Sequence, residues 1–501
     1  MYFTSQFSKQ KSSISDSPTT PTHTSFSSSI RKGLSLVAAS FLATGLLASV
    51  GTSAAHANEA TAPSPAVNIP APSPPDAAAD AAPSPPDAAA DAAPSPPGAA
   101  AGAAASPPGA APGALLEATA APHLLNPGGE HLPGSAQRIR YASINSNGEP
   151  VEVTGYVIDP ITPWQGNGPT PTIVMAPGTR GAGDLCAPSA APDLISTLEI
   201  HTNADGLPYL SVNANYELPL QYLANLAGIR IISTDYMGMG TPDHHAYVNS
   251  VEEAHAVLDA ARAGLQAAGA PADSPVGFAG YSQGGGAAAA AAEHKASYAP
   301  ELNLVGTFAG APPADLRHVL EAVDNSSIVA ALGYTLNGFV DRHPALQRII
   351  DEEFNEEGKR FLHDAEISCI GDATINWGFT DTRTLTKSGD SFSEVINRHP
   401  ELSNLVEAQR LGTQPVSGPI MVSNSGDDDL IPFVQATTMA RQYCAQGGQV
   451  QFLHTDVPPV LPELKAGINH ALPLFTDMPQ GLQYLIDRFH GIAPRNDCGT
   501  F

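Results

Sequence analysis

A glycine-rich pentapeptide in the second half of the chain constrains the fold more than any other feature. The letters GYSQG at residues 280–284 follow an apolar run at 275–279 and precede an alanine-rich segment at 287–292. This order predicts a buried strand, a sharp turn and a helix, which together expose a serine hydroxyl above a sheet edge. A G-x-S-x-G match alone is weak evidence, so its position between strand and helix carries the prediction. We predict that Ser282 is a nucleophile; the alternative is a glycine-rich turn with a serine of no chemical role.

The first 57 residues have the features of an export signal. Basic residues between positions 9 and 32 precede an apolar segment at 34–50, and Ala55-His56-Ala57 has the form of a cleavage site. We therefore predict that residues 1–57 are a signal peptide and that the protein is secreted. Retention of the apolar segment as an uncleaved anchor, with association with the cell envelope, is the alternative.

Residues 58–117 have the composition of a linker. A unit of eleven residues rich in proline and alanine starts at Pro72, Pro83 and Pro94. Frequent proline prevents regular helix, and the segment has almost no large apolar side chain to bury. We predict a disordered spacer here, which either holds the enzyme away from a surface or has no role. The catalytic domain is predicted at residues 118–501.

Charge excludes some classes of partner. The formal net charge is −26, which argues against nucleic acid binding and against attraction to anionic membranes. Any contact with lipid therefore has to use apolar surface.

The four cysteines all lie in the predicted catalytic domain. An even number in an exported chain predicts two disulfides, and the sequence leaves three pairings open. The absence of a C-x-x-C pair argues against a metal site.

Strand and helix patterns alternate along the catalytic domain. Alternating apolar and polar residues at 138–144 and 151–158 flank Asn147-Gly148 and predict a β-hairpin. Buried strands are predicted at 172–176, 230–234, 276–281, 304–308, 420–423 and 450–453, and helices between them include 251–268 and 433–446. The alternation predicts an α/β fold with a mostly parallel sheet flanked by helices and a ligand site at the carboxyl ends of the strands.

Residues 312–413 interrupt this alternation. They contain no clear strand but have helical segments at 316–323, 343–355 and 401–412. We predict an inserted helical cap that precedes the next strand, at 419–425. A cap of this kind shapes the substrate pocket and can act as a lid.

An acid for the catalytic group is predicted after the strand 419–425. A serine nucleophile needs a base to remove its proton and an acid to orient that base. The strand runs into three consecutive aspartates, and the spacing of acid, any residue, two apolar residues and Pro432 favours Asp428. Asp427 and Asp429 remain alternatives, as does a solvated acidic loop or calcium site without a catalytic role.

The predicted base is His470. It lies in a glycine-containing loop at 467–471, before a final helix predicted at 479–489. His454 lies on a predicted strand and so comes before any loop that could project over the sheet. His244 and His245 follow a predicted strand end, where they are candidates for lining the pocket.

The oxyanion hole requires two hydrogen-bond donors. The first is the backbone amide of Gln283, at the start of the helix after the turn. The second is expected in the loop 177–181, where we choose Thr179, with Arg180 and Gly181 as alternatives. A glycine-containing turn without a catalytic part is the remaining interpretation.

From about residue 122 the chain resembles the secretory lipase family, which includes the fungal lipase A type and exported actinobacterial relatives. The resemblance is carried by APGT at 176–179, CAPS at 186–189, DYMGMG at 235–240, the GYSQG turn and the acid loop. It implies an α/β-hydrolase fold, hydrolysis of carboxylic esters and triacylglycerols, no cofactor, and an acyl tunnel built by the cap. It also implies the disulfide pairs Cys186–Cys369 and Cys444–Cys498.

We therefore expect an exported triacylglycerol lipase or carboxylesterase that forms an acyl-enzyme intermediate. An acyltransferase with the same triad, acting on envelope alcohols, is the alternative, and partition of the acyl-enzyme between water and added sugar separates the two. A non-catalytic binding protein on this fold is a third hypothesis. We expect a monomer that binds lipid or other ester substrates and contacts lipid interfaces transiently through the cap.

Overall fold

The computed structural model describes residues 109–122, 134–190, 195–202, 208–461 and 463–501, with the backbone alone described at 195–202 and 208–212. The predicted signal peptide, 1–57, and most of the predicted linker, 58–117, lie outside the described residues. Within these ranges, none of the helices combines the length and apolar character that a bilayer-spanning segment requires.

Eleven strands occur in the described part of the chain. In chain order they are β1 (Leu115–Ala120), β2 (Ser135–Ile144), β3 (Pro150–Asp159), β4 (Thr172–Ala176), β5 (Ile195–Thr202), β6 (Pro208–Ala214), β7 (Arg230–Met237), β8 (Pro275–Tyr281), β9 (Asn303–Gly310), β10 (Ile420–Ser425) and β11 (Val450–Thr455).

Nine of these strands form one sheet in the order β1-β2-β3-β7-β4-β8-β9-β10-β11. The first three strands pair antiparallel, and β3 also pairs antiparallel with β7. From β7 to β11 every pairing is parallel. The predicted hairpin and the mostly parallel α/β sheet are thus confirmed, and the carboxyl ends of β8, β9 and β10 lie side by side.

Three strands were not predicted. β1 begins at Leu115, before the domain boundary placed at residue 118, because it pairs through its backbone with β2 although most of its side chains are exposed. β5 and β6 form a separate antiparallel hairpin. Such segments become strands because their backbones pair with a neighbouring strand, and amino-acid composition predicts this pairing poorly.

Helices flank the sheet and fill the insertion. The α-helices are α1 (Leu218–Leu226), α2 (Ser250–Ala267), α3 (Gln283–Tyr298), α4 (Leu316–Val323), α5 (Ala330–Arg342), α6 (Gln347–Glu353), α7 (Glu356–Ile367), α8 (Ile370–Trp377), α9 (Phe392–Arg398), α10 (Pro400–Ala408), α11 (Phe433–Ala445) and α12 (Ile468–Phe489). Short 3-10 helices lie at Asp184–Cys186, Pro188–Ala190, Pro344–Leu346 and Thr382–Leu385.

Helices α4 to α10 all lie between β9 and β10, where the inserted cap was predicted. They supply most of one apolar core, in which Phe354 packs against Phe392 with ring centroids 4.8 Å apart and Phe361 packs against Trp377 at 5.2 Å. Burial of this core stabilises the helices inserted between β9 and β10, which we call the cap.

The predicted start of the last helix was wrong. α12 begins at Ile468 and contains Pro473 and Pro479, although residues 467–471 were predicted as a loop and the helix was predicted at 479–489. Each internal proline removes a helix hydrogen bond. Burial of Leu474 and Leu485 against the sheet outweighs this local cost, so the helix continues through both prolines.

Two disulfides join distant segments. Cys186–Cys369 links the region after β4 to the cap, at a sequence separation of 183 residues. Cys444–Cys498 ties the last residues to α11, at a separation of 54 residues. This is the pairing that the family resemblance implies.

Replacing Cys186 and Cys369 together by serine should lower the free energy of unfolding by about 2–5 kcal/mol. Loop-closure entropy makes this loss about 1 kcal/mol larger than for the Cys444 and Cys498 double variant, because the closed segment is longer. Chemical denaturation of both variants measures the difference. A larger loss for the Cys444–Cys498 pair would contradict this expectation.

Candidate active site

Ser282 lies at the turn between β8 and α3 in a backbone conformation that is unusual for a serine. Its φ is 58° and its ψ is −126°. Such a conformation costs roughly 1–3 kcal/mol and persists only where the surroundings hold it. The Ser282 amide donates to the Gly310 carbonyl at 2.9 Å, and the Ser282 carbonyl accepts from Gly286 at 3.1 Å. The predicted strand, turn and helix are therefore present.

Glycine is required beside the turn because the backbones approach closely. A Cβ at Gly284 would lie 2.0 Å from the Ala176 carbonyl oxygen, and one at Gly285 would lie 2.1 Å from the Gly310 carbonyl oxygen. The start of α3 thus packs directly against the ends of β4 and β9. This contact brings the loop after β4 next to Ser282.

The structure brings the three side chains chosen from the sequence into one hydrogen-bonded chain. His470 Nε2 lies 2.8 Å from Ser282 Oγ, and His470 Nδ1 lies 2.8 Å from Asp428 Oδ2. Because a carboxylate only accepts, Nδ1 carries a hydrogen and Nε2 is free to accept the serine proton. This arrangement can activate a serine hydroxyl as a nucleophile.

Each of the three consecutive aspartates has a different environment. The Asp428 side chain is fully buried, and its Oδ1 accepts the amides of Leu430 and Ile431 at 3.0 and 2.8 Å. These bonds hold its other oxygen toward the imidazole. Asp427 is exposed. The geometry thus separates alternatives that the sequence left open, and it favours Asp428.

Asp429 has a role that sequence reasoning missed. Its carboxylate accepts the amide of Gly467 at 2.8 Å and that of His470 at 3.0 Å, at the start of α12. A carboxylate there satisfies amides that have no partner within the helix and interacts favourably with the helix dipole. Asp429 therefore fixes the first turn of α12, on which His470 lies. The acid loop thus supplies one carboxylate to the His470 ring and another to the His470 backbone amide.

The pKa of His470 is raised. Burial alone would lower it, but the charge of Asp428, its hydrogen bond and the charge of Asp429 favour the imidazolium. The pKa of His470 therefore lies above its ordinary value.

The other candidate histidines lie elsewhere. His454 is half-exposed on β11, with Asp456 at 3.5 Å. His244 is also half-exposed and lies 3.1 Å from Glu366. His245 is buried, and its ring hydrogen-bonds to Met237 and Gln283. It does not line the pocket described below, because it packs among other buried side chains.

The loop after β4 is held by a buried ion pair that was not predicted. Glu217 accepts the amide of Gly178 at 2.9 Å and pairs with the guanidinium of Arg180 at 2.7 Å. The guanidinium also lies over the ring of Tyr216, 4.2 Å from its centroid. The positions on either side of Thr179 are thereby anchored through a residue distant in sequence.

The alternatives for the second oxyanion donor have other contacts. The Arg180 carbonyl accepts the amide of Ile370 at 2.8 Å, and Gly181 forms an antiparallel bridge with Cys369. Both residues thus join the loop to the cap. Thr179 faces the same cavity as Ser282, and its hydroxyl lies 2.7 Å from that of Tyr247. Of the three residues, Thr179 is the one that lines this cavity together with Ser282, which favours it as the donor that accompanies the Gln283 amide.

A mainly apolar cavity of about 120 Å³ opens beside Ser282. The cap contributes Ser327, Ile328 and Ile370 to its wall. The remaining lining residues come from the core: Thr179, Tyr216, Tyr281, Ser282, Leu430, Ala466, Gly467, His470, Ala471, Leu474 and Phe475. An apolar pocket next to a nucleophile suits the hydrocarbon part of a substrate.

No group of three or more metal-ligating side chains occurs in the described ranges.

A model of the secretory lipase family matches residues 206–497. A probable inactive lipase of Mycobacterium tuberculosis is 29% identical over 50% of this chain and 55% of its own length. Lipase A of Moesziomyces aphidis is 25% identical over 54% of this chain and 57% of its own length. The chain thus spans a little over half the length of these curated relatives.

Solved structures share the fold. Candida antarctica lipase A in its closed state superposes with a TM-score of 0.61 at 20% identity, over 78% of this chain and 85% of that chain. The rice cell wall degrading esterase LipA from Xanthomonas oryzae gives a TM-score of 0.59 at 19% identity, over 75% and 99%.

The imidazole of His470 should titrate above the ordinary histidine pKa of about 6.5. Asp429→Asn should lower this pKa, because it removes a negative charge that stabilises the imidazolium. NMR titration measures both, with the His470 signal identified by its loss in His470→Gln. Asp427→Asn serves as the control, since this side chain is exposed and has no contact with the ring. An unchanged pKa in Asp429→Asn would contradict the electrostatic account.

Proposed function

The chain belongs to the secretory lipase family, and from this premise we propose that it is a serine hydrolase that cleaves carboxylic esters of lipids through an acyl-enzyme. The observation that carries the proposal is the chain of two 2.8 Å hydrogen bonds from Ser282 through His470 to Asp428. One relative is named a probable inactive lipase. Here the three side chains stand in contact, which supports an active enzyme.

Acylation begins when Ser282 Oγ attacks the ester carbonyl carbon. His470 Nε2 takes the serine proton, and the Asp428 carboxylate stabilises the imidazolium that forms. Backbone donors at Gln283 and Thr179 stabilise the negative charge on the carbonyl oxygen. The imidazolium then protonates the alkoxide of the leaving alcohol, and the acyl group remains on Ser282.

Deacylation repeats these steps with water. His470 removes a proton from a water molecule, which attacks the acyl carbonyl, and the serine oxygen leaves with the proton from the imidazolium. The acid is released and the free enzyme is restored.

The cavity supports the proposed substrate class. Its lining includes Ile328, Ile370, Leu474 and Phe475, which favour an acyl chain over a charged or polar group. We therefore assign the acyl side of a lipid ester to this space. Export is supported by the predicted signal sequence, the secretory family and two disulfides, which persist in oxidising compartments.

Ser282→Ala should reduce kcat by roughly 10⁶-fold, because the acyl-enzyme can no longer form. Hydrolysis of p-nitrophenyl esters of increasing acyl length, with wild type and variant side by side, measures this. An alanine variant that keeps its rate would show that the mechanism is wrong. A sharp preference of the wild type for short acyl chains would identify an esterase rather than a lipase.

Asp428→Asn should reduce kcat by roughly 10⁴-fold, since the histidine loses the charge that orients it and stabilises the imidazolium. Asp427→Asn is the matched control, one residue away and exposed, and should leave kcat unchanged. Equal rates for the two variants would exclude Asp428 as the acid.

A further inference from the structure

Gln283, the residue after the proposed nucleophile, belongs to a buried group of polar side chains. Its members, which we call the Glu253 cluster, are Tyr236, His245, Tyr247, Glu253 and Gln283. Each is at most 7% exposed. Only the Gln283 backbone enters the mechanism above, so the cluster requires an explanation of its own. Buried polar side chains in such number are retained where their hydrogen bonds specify a geometry.

Both amide hydrogens of the Gln283 side chain are used within the cluster. Gln283 Nε2 donates to Glu253 Oε1 at 2.8 Å and lies 3.1 Å from His245 Nε2. His245 Nδ1 lies 2.9 Å from the Met237 carbonyl, so Nδ1 carries the hydrogen and Nε2 accepts. Burial lowers the pKa of His245 to about 4, which keeps this ring neutral. The side chain of Gln283 is therefore held at two points.

The same carboxyl oxygen also holds the loop after β7. Glu253 Oε1 accepts the amide of Val248 at 3.0 Å, and Val248 has a φ of 53°, which is unfavourable for a β-branched residue. The preceding residue, Tyr247, places its hydroxyl 2.7 Å from Thr179 Oγ1. A bond from Glu253 thus supports the segment that contacts the second proposed oxyanion donor.

A third contact links the cluster to the loop after β4. Tyr236 packs against the ring of His245 with centroids 5.8 Å apart and donates its hydroxyl to the Pro177 carbonyl at 2.7 Å. The Glu253 cluster thereby also fixes the carbonyl of Pro177, two residues before Thr179.

We propose that Glu253 is a positioning residue for the oxyanion hole. One of its oxygens orients Gln283, whose backbone amide is the first donor, and supports the Tyr247–Val248 segment that contacts Thr179, the second donor. This inference rests on the proposed function, because an oxyanion hole matters only if a tetrahedral anion forms. Donors aimed in advance at that anion stabilise the transition state without reorganisation.

The protonation state of Glu253 suggests the test. Burial raises the pKa of Glu253 to about 8, although its bonds to Gln283 and Val248 oppose this, so the carboxyl group is largely neutral at pH 7. The neighbouring Glu252 contributes to the shift and is itself paired with Arg342 at 2.8 Å. A neutral acid and an amide have nearly the same shape and both offer a carbonyl oxygen as acceptor.

Glu253→Gln should therefore keep kcat within about threefold of the wild type, whereas Glu253→Leu, which has no acceptor, should lower kcat by about 10–100-fold. KM should change little, because the lost stabilisation is confined to the transition state. Rates are expressed per active site, counted with a fluorophosphonate that labels Ser282. Unfolded enzyme is thereby excluded from the comparison.

An alkyl boronic acid supplies a second readout, since it forms a tetrahedral anion on the serine. Its inhibition constant should rise in Glu253→Leu in parallel with the fall in kcat/KM and stay near the wild-type value in Glu253→Gln. A purely structural role for Glu253 would lower the melting temperature but leave both quantities per labelled site unchanged, which would overturn the proposal. Should Glu253→Leu not fold, Gln283→Met removes the same hydrogen bond from the other side and has the same expected result.

The outcomes separate the two proposals. A wild-type protein that neither reacts with the fluorophosphonate nor hydrolyses esters would contradict the proposed function. A wild type that does both, together with Glu253→Leu and Gln283→Met variants of unchanged kcat and boronate affinity, would contradict the role of Glu253 alone.

Discussion

The unfavourable backbone conformation of Ser282 is the constraint around which the candidate active site is arranged. The positive φ of Ser282 is held by backbone hydrogen bonds and by the packing of α3 against the ends of β4 and β9, where there is no room for a side chain at Gly284 or Gly285. This packing has two consequences. The serine hydroxyl projects from the sheet edge toward His470, and the loop after β4 comes to lie beside the first amide of the helix.

Charges around the histidine come from a single short loop. The buried Asp428 carboxylate hydrogen-bonds to the His470 ring, while Asp429 accepts backbone amides at the start of α12. One carboxylate orients the imidazole and the other fixes the helix that carries it, and both raise the pKa of His470. Two of the three consecutive acidic residues, which made the sequence ambiguous, therefore contact His470 at different places, one at its ring and one at its backbone amide.

The two walls of the proposed oxyanion hole depend on buried acids from different elements. Glu217 holds Gly178 and Arg180 in the loop after β4, and Glu253 holds Gln283 at the start of α3. The cap joins the same loop through hydrogen bonds and the Cys186–Cys369 disulfide. The cap and the region after β4 are therefore connected by both covalent and polar contacts.

Local sequence determined the strand, turn and helix at Ser282 and the alternation of strands and helices that defines the sheet. It also determined the chain order of serine, acid and histidine. These features were readable because short runs of neighbouring residues carry their patterns. The spacing to Pro432 favoured Asp428 but left its two neighbours as alternatives, and the tertiary structure decided among them. Tertiary structure alone decided where α12 begins and what Glu253 contacts. These outcomes depend on burial and on hydrogen bonds between residues far apart in the chain, such as Glu253 with Gln283. Packing against the sheet carried α12 through two prolines that local propensity treats as breaks.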